Sequence, residues 1–199
     1  MDKEIVSPGT LVSDKPVKLE GTYVENGRTY AAVVSLKQED RFVPLKGIYT
    51  PQYGDVIVGV ISEERFSGYT VDLNSPFDGN ISAKEIREEF TTGDVVSGKI
   101  VAVNEMKEAV LLEARKLSGG MVMDVEPVKV PRIIGRNGSM LQMLQQYTQS
   151  QITVGKNGRV FIKGGKTQIA SDAIHKIAAE SHTSGLTERV KEWLETQTS

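Results

Sequence analysis

The stretch Ile133-Ile134-Gly135-Arg136-Asn137-Gly138-Ser139-Met140-Leu141 constrains this chain more than any other part of it. Two glycines bracket two polar residues, an apolar pair precedes them, and Leu141, Leu144 and Tyr147 follow at helical spacing. Glycine at both corners leaves no Cβ in the way of a ligand's backbone. A helix starting at Ser139 would turn free N–H groups and the positive end of its dipole toward the same place. Arg136 can add a charge-assisted contact to an anion held there. Taken alone, the four residues suit an ordinary tight turn between helices as well as a phosphate clamp.

The flanking pattern narrows the choice. A strand is expected over 121–126, then Pro131 as the opening residue of a helix, the glycine loop, and a helix from 139 to about 148. A hairpin follows, with Ile152-Thr153-Val154 and Val160-Phe161-Ile162 joined by Gly155-Lys156-Asn157-Gly158. Ile169, Ala173, Ile174 and Ile177 then mark a long helix, with Gly164-Gly165 before it and Gly185 after. The order is strand, helix, loop, helix, two strands, helix.

Upstream, β structure dominates. Gly21-Thr22-Tyr23-Val24 and the run 29–35 flank Asn26-Gly27, a turn pair that tolerates positive φ, and a second short pair is expected around 41–45. Residues 53–118 contain an echo: Gly54-Asp55-Val56-Ile57-Val58-Gly59-Val60-Ile61 resembles Gly93-Asp94-Val95-Val96-Ser97-Gly98-Lys99-Ile100. The echo reads as two strands of one barrel, with further strands at 69–73 and 109–114 and a short acidic helix near 83–90. Five or so short strands in such a length suit a small Greek-key barrel of the OB type.

Charge separates these parts. Residues 1–52 balance at 7 basic and 7 acidic groups, 53–118 carry 7 and 12, and 119–185 carry 8 and 4. A polyanion is therefore drawn mainly to the third part. Without a cysteine, disulfides and thiolate metal sites are excluded. The charged start Met1-Asp2-Lys3-Glu4 has no apolar segment after it, and no run approaches the ~20 apolar residues of a membrane span. No membrane partner and a cytoplasmic location are expected.

The third part resembles a KH domain, whose glycine loop clamps about four nucleotides of single strand. That resemblance implies a groove lined by Arg132, Ile133, Gly135, Arg136, Asn137 and Gly138 on one side and by Ile152 and Val154 on the other. The middle part resembles the S-one-type OB domain through Gly54-Asp55-Val56, Phe66-Ser67-Gly68-Tyr69, Gly79-Asn80-Ile81-Ser82 and Gly93-Asp94-Val95. It implies stacking of bases on Phe66 and Tyr69, with Arg65 on phosphate; both rings are equally suited to filling the barrel core. With Val6-Ser7-Pro8-Gly9, Gly21-Thr22-Tyr23 and Tyr49-Thr50-Pro51 ahead of these two, nearly the whole chain resembles the archaeal exosome cap subunits of the Rrp-four type.

The fold class that follows is mostly β plus α+β. It comprises an N-terminal β domain (1–52), a five-stranded OB barrel (53–118), a type I KH domain with three strands and three helices (119–185), and an amphipathic helical tail (186–199). The family resemblance implies a chain that binds single-stranded, A-rich RNA and sits in three copies on a ring of phosphorolytic 3′–5′ exonuclease subunits, with the N-terminal part docking on the ring. A factor of transcription or translation with the same domain types is the second reading. A hidden nuclease is the third and weakest.

The residues offer little to catalysis. His175 and His182, seven apart, lack companion ligands, and the pairs Glu63-Glu64 and Glu88-Glu89 diverge in a strand or helix. There is no P-loop, nucleophile elbow or dinucleotide fingerprint. No enzyme, metal or cofactor is expected.

Overall fold

A computed structural model describes residues 4–17, 19, 21–38, 41–45, 47–86, 88–181 and 183–198, in two compact units, Met1–Ile48 and Tyr49–Ser199. His182 lies outside the described residues.

The first unit holds two small antiparallel sheets. One has the order β1 (Glu4–Val6), β5 (Ser35–Gln38), β6 (Arg41–Pro44); the other has β2 (Leu11–Ser13), β4 (Arg28–Ala31), β3 (Thr22–Glu25). The hairpin expected at Asn26-Gly27 forms, and both residues take positive φ, at 49° and 75°. The single strand expected over 29–35 does not. The chain bends after Ala31, so Arg28–Ala31 and Ser35–Gln38 pair in different sheets. Buried Thr29 helps to hold the unit, donating its hydroxyl to the Lys15 carbonyl at 2.8 Å while accepting from the Val17 N–H at 2.8 Å.

The second unit begins with a closed barrel. Its strands are β7 (Val56–Arg65), β8 (Gly68–Asp72), β9 (Asp78–Ser82), β10 (Val95–Val103) and β11 (Ala109–Leu117). The order β10-β11-β9-β8-β7 closes through β7 with β10, and β11 runs parallel to β9; this is the connectivity of an OB barrel. The two echoed segments are neighbours, with Val95 opposite Val60 and Lys99 opposite Val56. Ile57, Ile61, Val71, Leu73, Ile81, Val96, Ile100 and Leu111 fill the interior. At its entrance Tyr49 donates its hydroxyl to Asp55 at 2.8 Å, and burial, aided by that carboxylate, pushes the phenol well above its ordinary range.

The acidic helix expected near 83–90 is not seen among the described residues. Only a 3₁₀ turn, Ala83–Glu85, forms; the Ser82 side chain accepts from the Lys84 N–H, and Ile86 is already extended. Phe90 itself is buried in the barrel core.

The KH part of this unit has β12 (Met121–Asp124), α1 (Val130–Ile134), α2 (Ser139–Thr148), β13 (Gln151–Val154), β14 (Arg159–Lys163) and α3 (Thr167–Glu180). The antiparallel sheet runs β12-β14-β13. Its helix-facing side buries Met123, Ile152, Val160 and Ile162 against Ile133, Leu144, Ala173, Ile174 and Ile177. A further helix, α4 (Leu186–Thr198), places Leu186, Val190 and Leu194 in the same core, so the amphipathic tail docks on its own chain. Arg189 fastens it to Glu180 at 3.0 Å, and Tyr147 donates to Glu195 at 2.9 Å.

Barrel and KH sheet are joined by the turn between β13 and β14. Buried Asn157 donates its amide to the Val58 and Leu73 carbonyls at 2.7 and 2.9 Å and accepts from the Val58 N–H at 3.2 Å. The Lys156 N–H donates to the Val56 carbonyl, and Arg159 binds the carbonyl and carboxylate of Asp72 at 2.7 and 2.5 Å. This contact explains the uninterrupted apolar run of β7. Ile57 faces the barrel core, while Val58 beside it is covered from outside, so both faces of the strand are buried.

Candidate nucleic-acid interface

The glycine loop sits between α1 and α2 as a single 3₁₀ turn, Arg136–Gly138. The Gly135 N–H donates to the Pro131 carbonyl at 2.9 Å and ends α1. Gly135 has φ 74° and ψ 176°, and Asn137 and Gly138 both have left-handed backbone. These turns stand the loop out from the core: Arg136 and Asn137 are exposed, and so is Arg132 on α1. Neither arginine enters an ion pair among the described residues. The first turn of α2 carries no side-chain cap and no acidic residue. An exposed anion therefore meets two cations and an uncapped helix start together.

Other expected groove residues lie elsewhere. Ile133 is completely buried and Ile152 nearly so, both within the helix–sheet core, so neither side chain is available to a ligand. One residue further on, Ile134 is only partly buried at the edge of that core, as is Val154. Helical geometry explains the exchange, because neighbours on a helix point about 100° apart and only one of two adjacent isoleucines can face inward. The doublet itself carries the signal for Ile134, but its sequence does not say which member turns out.

On the barrel, the three candidates part company. Tyr69 leans on the core with its ring edge-on to Phe90 at 5.4 Å, and its hydroxyl accepts from the Phe90 N–H. Arg65 gives its Nε and Nη2 protons to Glu63 at 2.9 and 2.6 Å, and that bond raises the guanidinium's pKa further. Only Phe66, at the tip of the β7–β8 hairpin, is fully exposed. Replacing Phe66 with alanine should change stability by no more than about 0.5 kcal/mol, measured by urea unfolding, because the ring buries nothing in the folded chain. A larger loss would mean that the ring packs in solution.

Among the described residues no group of three or more histidines and carboxylates is placed to hold a metal ion. Among the described residues no helix is long and apolar enough to cross a membrane.

Comparison with known proteins agrees with this geometry. Residues 120–168 match the family model described as KH domain. The chain is 41% identical to the exosome complex component Rrp4 of Methanobrevibacter smithii, over 96% of this chain and 70% of that protein. It is 35% identical to the component of the same name from Pyrococcus horikoshii, over 97% and 83%. A crystal structure described as that of an exosome complex RNA-binding protein superposes with a TM-score of 0.69 at 31% identity, covering 76% of this chain and 97% of the other. A KH loop beside an OB barrel, together with identity of this extent along nearly the whole length, shows that the chain belongs to the Rrp4 family of exosome complex components.

Proposed function

We propose that the chain is a non-catalytic RNA-binding cap subunit of a cytoplasmic exosome, recruiting single-stranded, A-rich RNA and directing it into a phosphorolytic ring. Three copies would sit on one ring. The N-terminal part, residues 1–52, would dock there; the barrel (53–118) would guide RNA and the KH part (119–185) would hold it, with 186–199 bracing the KH part. The observation that carries this reading is the loop 135–138 with exposed Arg136 and Asn137, where Arg132 and Arg136 have no ion-pair partner among the described residues and lie beside an uncapped helix start, in a chain of this family. Ile134 and Val154 would supply apolar contact to bases, and phosphate would lie along Arg136, Asn137 and Gly138. Duplex RNA would not fit, since its bases are paired and stacked away from such a groove.

The test adds the protein to a purified phosphorolytic ring and follows degradation of an unstructured A-rich RNA. Degradation should accelerate, while the protein alone should leave the RNA intact. Equal ring activity with and without it would remove the cap assignment; recovery of ribosome or polymerase in its place would favour a factor of translation or transcription. Within the loop, Arg136→Asp with Asn137→Asp should weaken single-strand binding by about tenfold to a hundredfold. That is the worth of one or two charge-assisted contacts. Acidic residues at the start of α2 suit its dipole, so circular dichroism should remain native. Unchanged affinity with a native spectrum would show that the loop is not the clamp.

A further inference from the structure

We propose that Gln145 selects adenine in the groove between α2 and the free edge of the KH sheet, reading a base of the RNA that loop 135–138 holds. This rests on the reading of that loop as an RNA clamp and adds to it the residue that tells one base from another. Only Gln149 and Ser150 separate α2 from β13, so the chain doubles back beside the helix. At about 1.5 Å per helical residue and about 3.3 Å per strand residue, Leu141 comes level with Val154 and Gln145 with Ile152. Leu141 and Gln145, four apart in α2, share one of its faces. That face meets the sheet edge, since the Gln145 Nε2 donates to the Ile152 carbonyl at 3.1 Å. RNA leaving the glycine loop along this groove passes Leu141 and Val154 first and then reaches Gln145.

β13 is the edge strand of its sheet. The Gly155 N–H donates to the Arg159 carbonyl, and Val154 stands opposite Val160. The alternation of an antiparallel ladder therefore turns the backbone N–H and C=O of Ile152 and Val154 to the open side. Gln145 gives one amide proton to the first of these carbonyls. Its second amide proton and its Oε1 have no hydrogen bond among the described residues, and the residue is only half-buried, so both stay open to a ligand. The neighbouring glutamines differ: Gln149 turns back on the Gln146 carbonyl at 2.7 Å, and Gln142 and Gln146 are exposed. Anchored at Ile152, the Gln145 amide presents a fixed acceptor beside a fixed donor. Adenine complements that pair on one edge, its N6 amino group donating to Oε1 and its N7 accepting from Nε2. On the same edge guanine shows two acceptors, cytosine a donor alone and uracil an acceptor alone.

The full chain is titrated into short fluorescein-labelled oligouridylates that carry spaced adenines, 7-deazaadenines (carbon in place of N7) or guanines. The parent should bind the adenine strand about threefold to tenfold more tightly than the deaza strand, the worth of one hydrogen bond. It should favour adenine over guanine by at least about fivefold. Gln145→Met keeps a long, helix-favouring side chain without the amide and should bind the adenine and deaza strands alike. Gln145→Lys can still donate to the Ile152 carbonyl but offers only donors to a base, so its preference should turn from adenine to guanine. A residue that merely braces β13 would produce no such reversal. Equal binding of adenine and deaza strands by the parent would overturn the proposal. So would a persisting distinction between them in Gln145→Met, or a persisting preference for adenine over guanine in Gln145→Lys. A parent that binds all strands equally leaves the clamp standing and removes only the role of Gln145; a parent that binds none removes the RNA reading and this one with it.

Discussion

Asn157→Ala is expected to destabilise the second unit by about 3–4 kcal/mol, measured by urea unfolding, for a residue that sequence places in an ordinary hairpin turn. The side chain is wholly buried and bonds the Val58 N–H and the carbonyls of Val58 and Leu73. A buried backbone group stripped of its partner costs about 1–3 kcal/mol, and relaxation recovers part of the sum. Asn157→Asp should be worse at neutral pH. One carboxylate oxygen can still accept from Val58, but the other then faces two carbonyls with no proton to give. That environment raises the carboxyl's folded pKa above the ordinary value near 4. The sign follows: a group whose pKa is raised by folding stabilises most below its unfolded pKa and loses that contribution as pH rises. The aspartate variant should therefore approach the parent most closely near pH 4 and fall away toward pH 7. A loss below about 1 kcal/mol in Asn157→Ala would show that the junction does not depend on this amide.

That junction marks where sequence reading stops. Helix spacing at Leu144, Ala173, Ile174 and Ile177 named core residues correctly because a helix presents one face to whatever lies beneath it. The Asn26-Gly27 hairpin was equally legible, since its turn chemistry is local. Asn157 was not, because its partners at Val58 and Leu73 lie 99 and 84 residues away and no local pattern refers to them. The composition of residues 83–90 suits a helix, but the chain forms only a 3₁₀ turn over Ala83–Glu85, and Phe90 is buried in the barrel core. At the site, the loop itself was visible as a motif. The division between buried Ile133 and half-exposed Ile134 depends on how α1 rolls onto the sheet, and two identical side chains cannot encode it.

The two loop glycines should respond differently to the same substitution, and the difference separates folding from binding. Gly135 combines φ 74° with ψ 176°, a conformation essentially reserved to glycine. A Cβ there would stand 2.7 Å from the Met140 Cβ and 2.8 Å from its backbone nitrogen. Met140 is buried in the first turn of α2 and cannot yield without moving that helix. Gly135→Ala should thus cost about 3 kcal/mol, combining backbone strain with the clash, and should lower single-strand RNA affinity because the loop and the start of α2 shift together. Gly138 has φ 79° and ψ 7°, and a Cβ added to it meets nothing within 4 Å. Gly138→Ala should cost only the left-handed penalty of about 1–2 kcal/mol. Its methyl group, however, projects into the open space through which the proposed phosphate backbone passes, so affinity should still fall. Unfolding in urea and RNA titration on the same two variants give four values. Parent-like affinity in Gly138→Ala would mean that the strand does not cross this corner of the loop, and the path of RNA would have to be redrawn along Arg132 and α1.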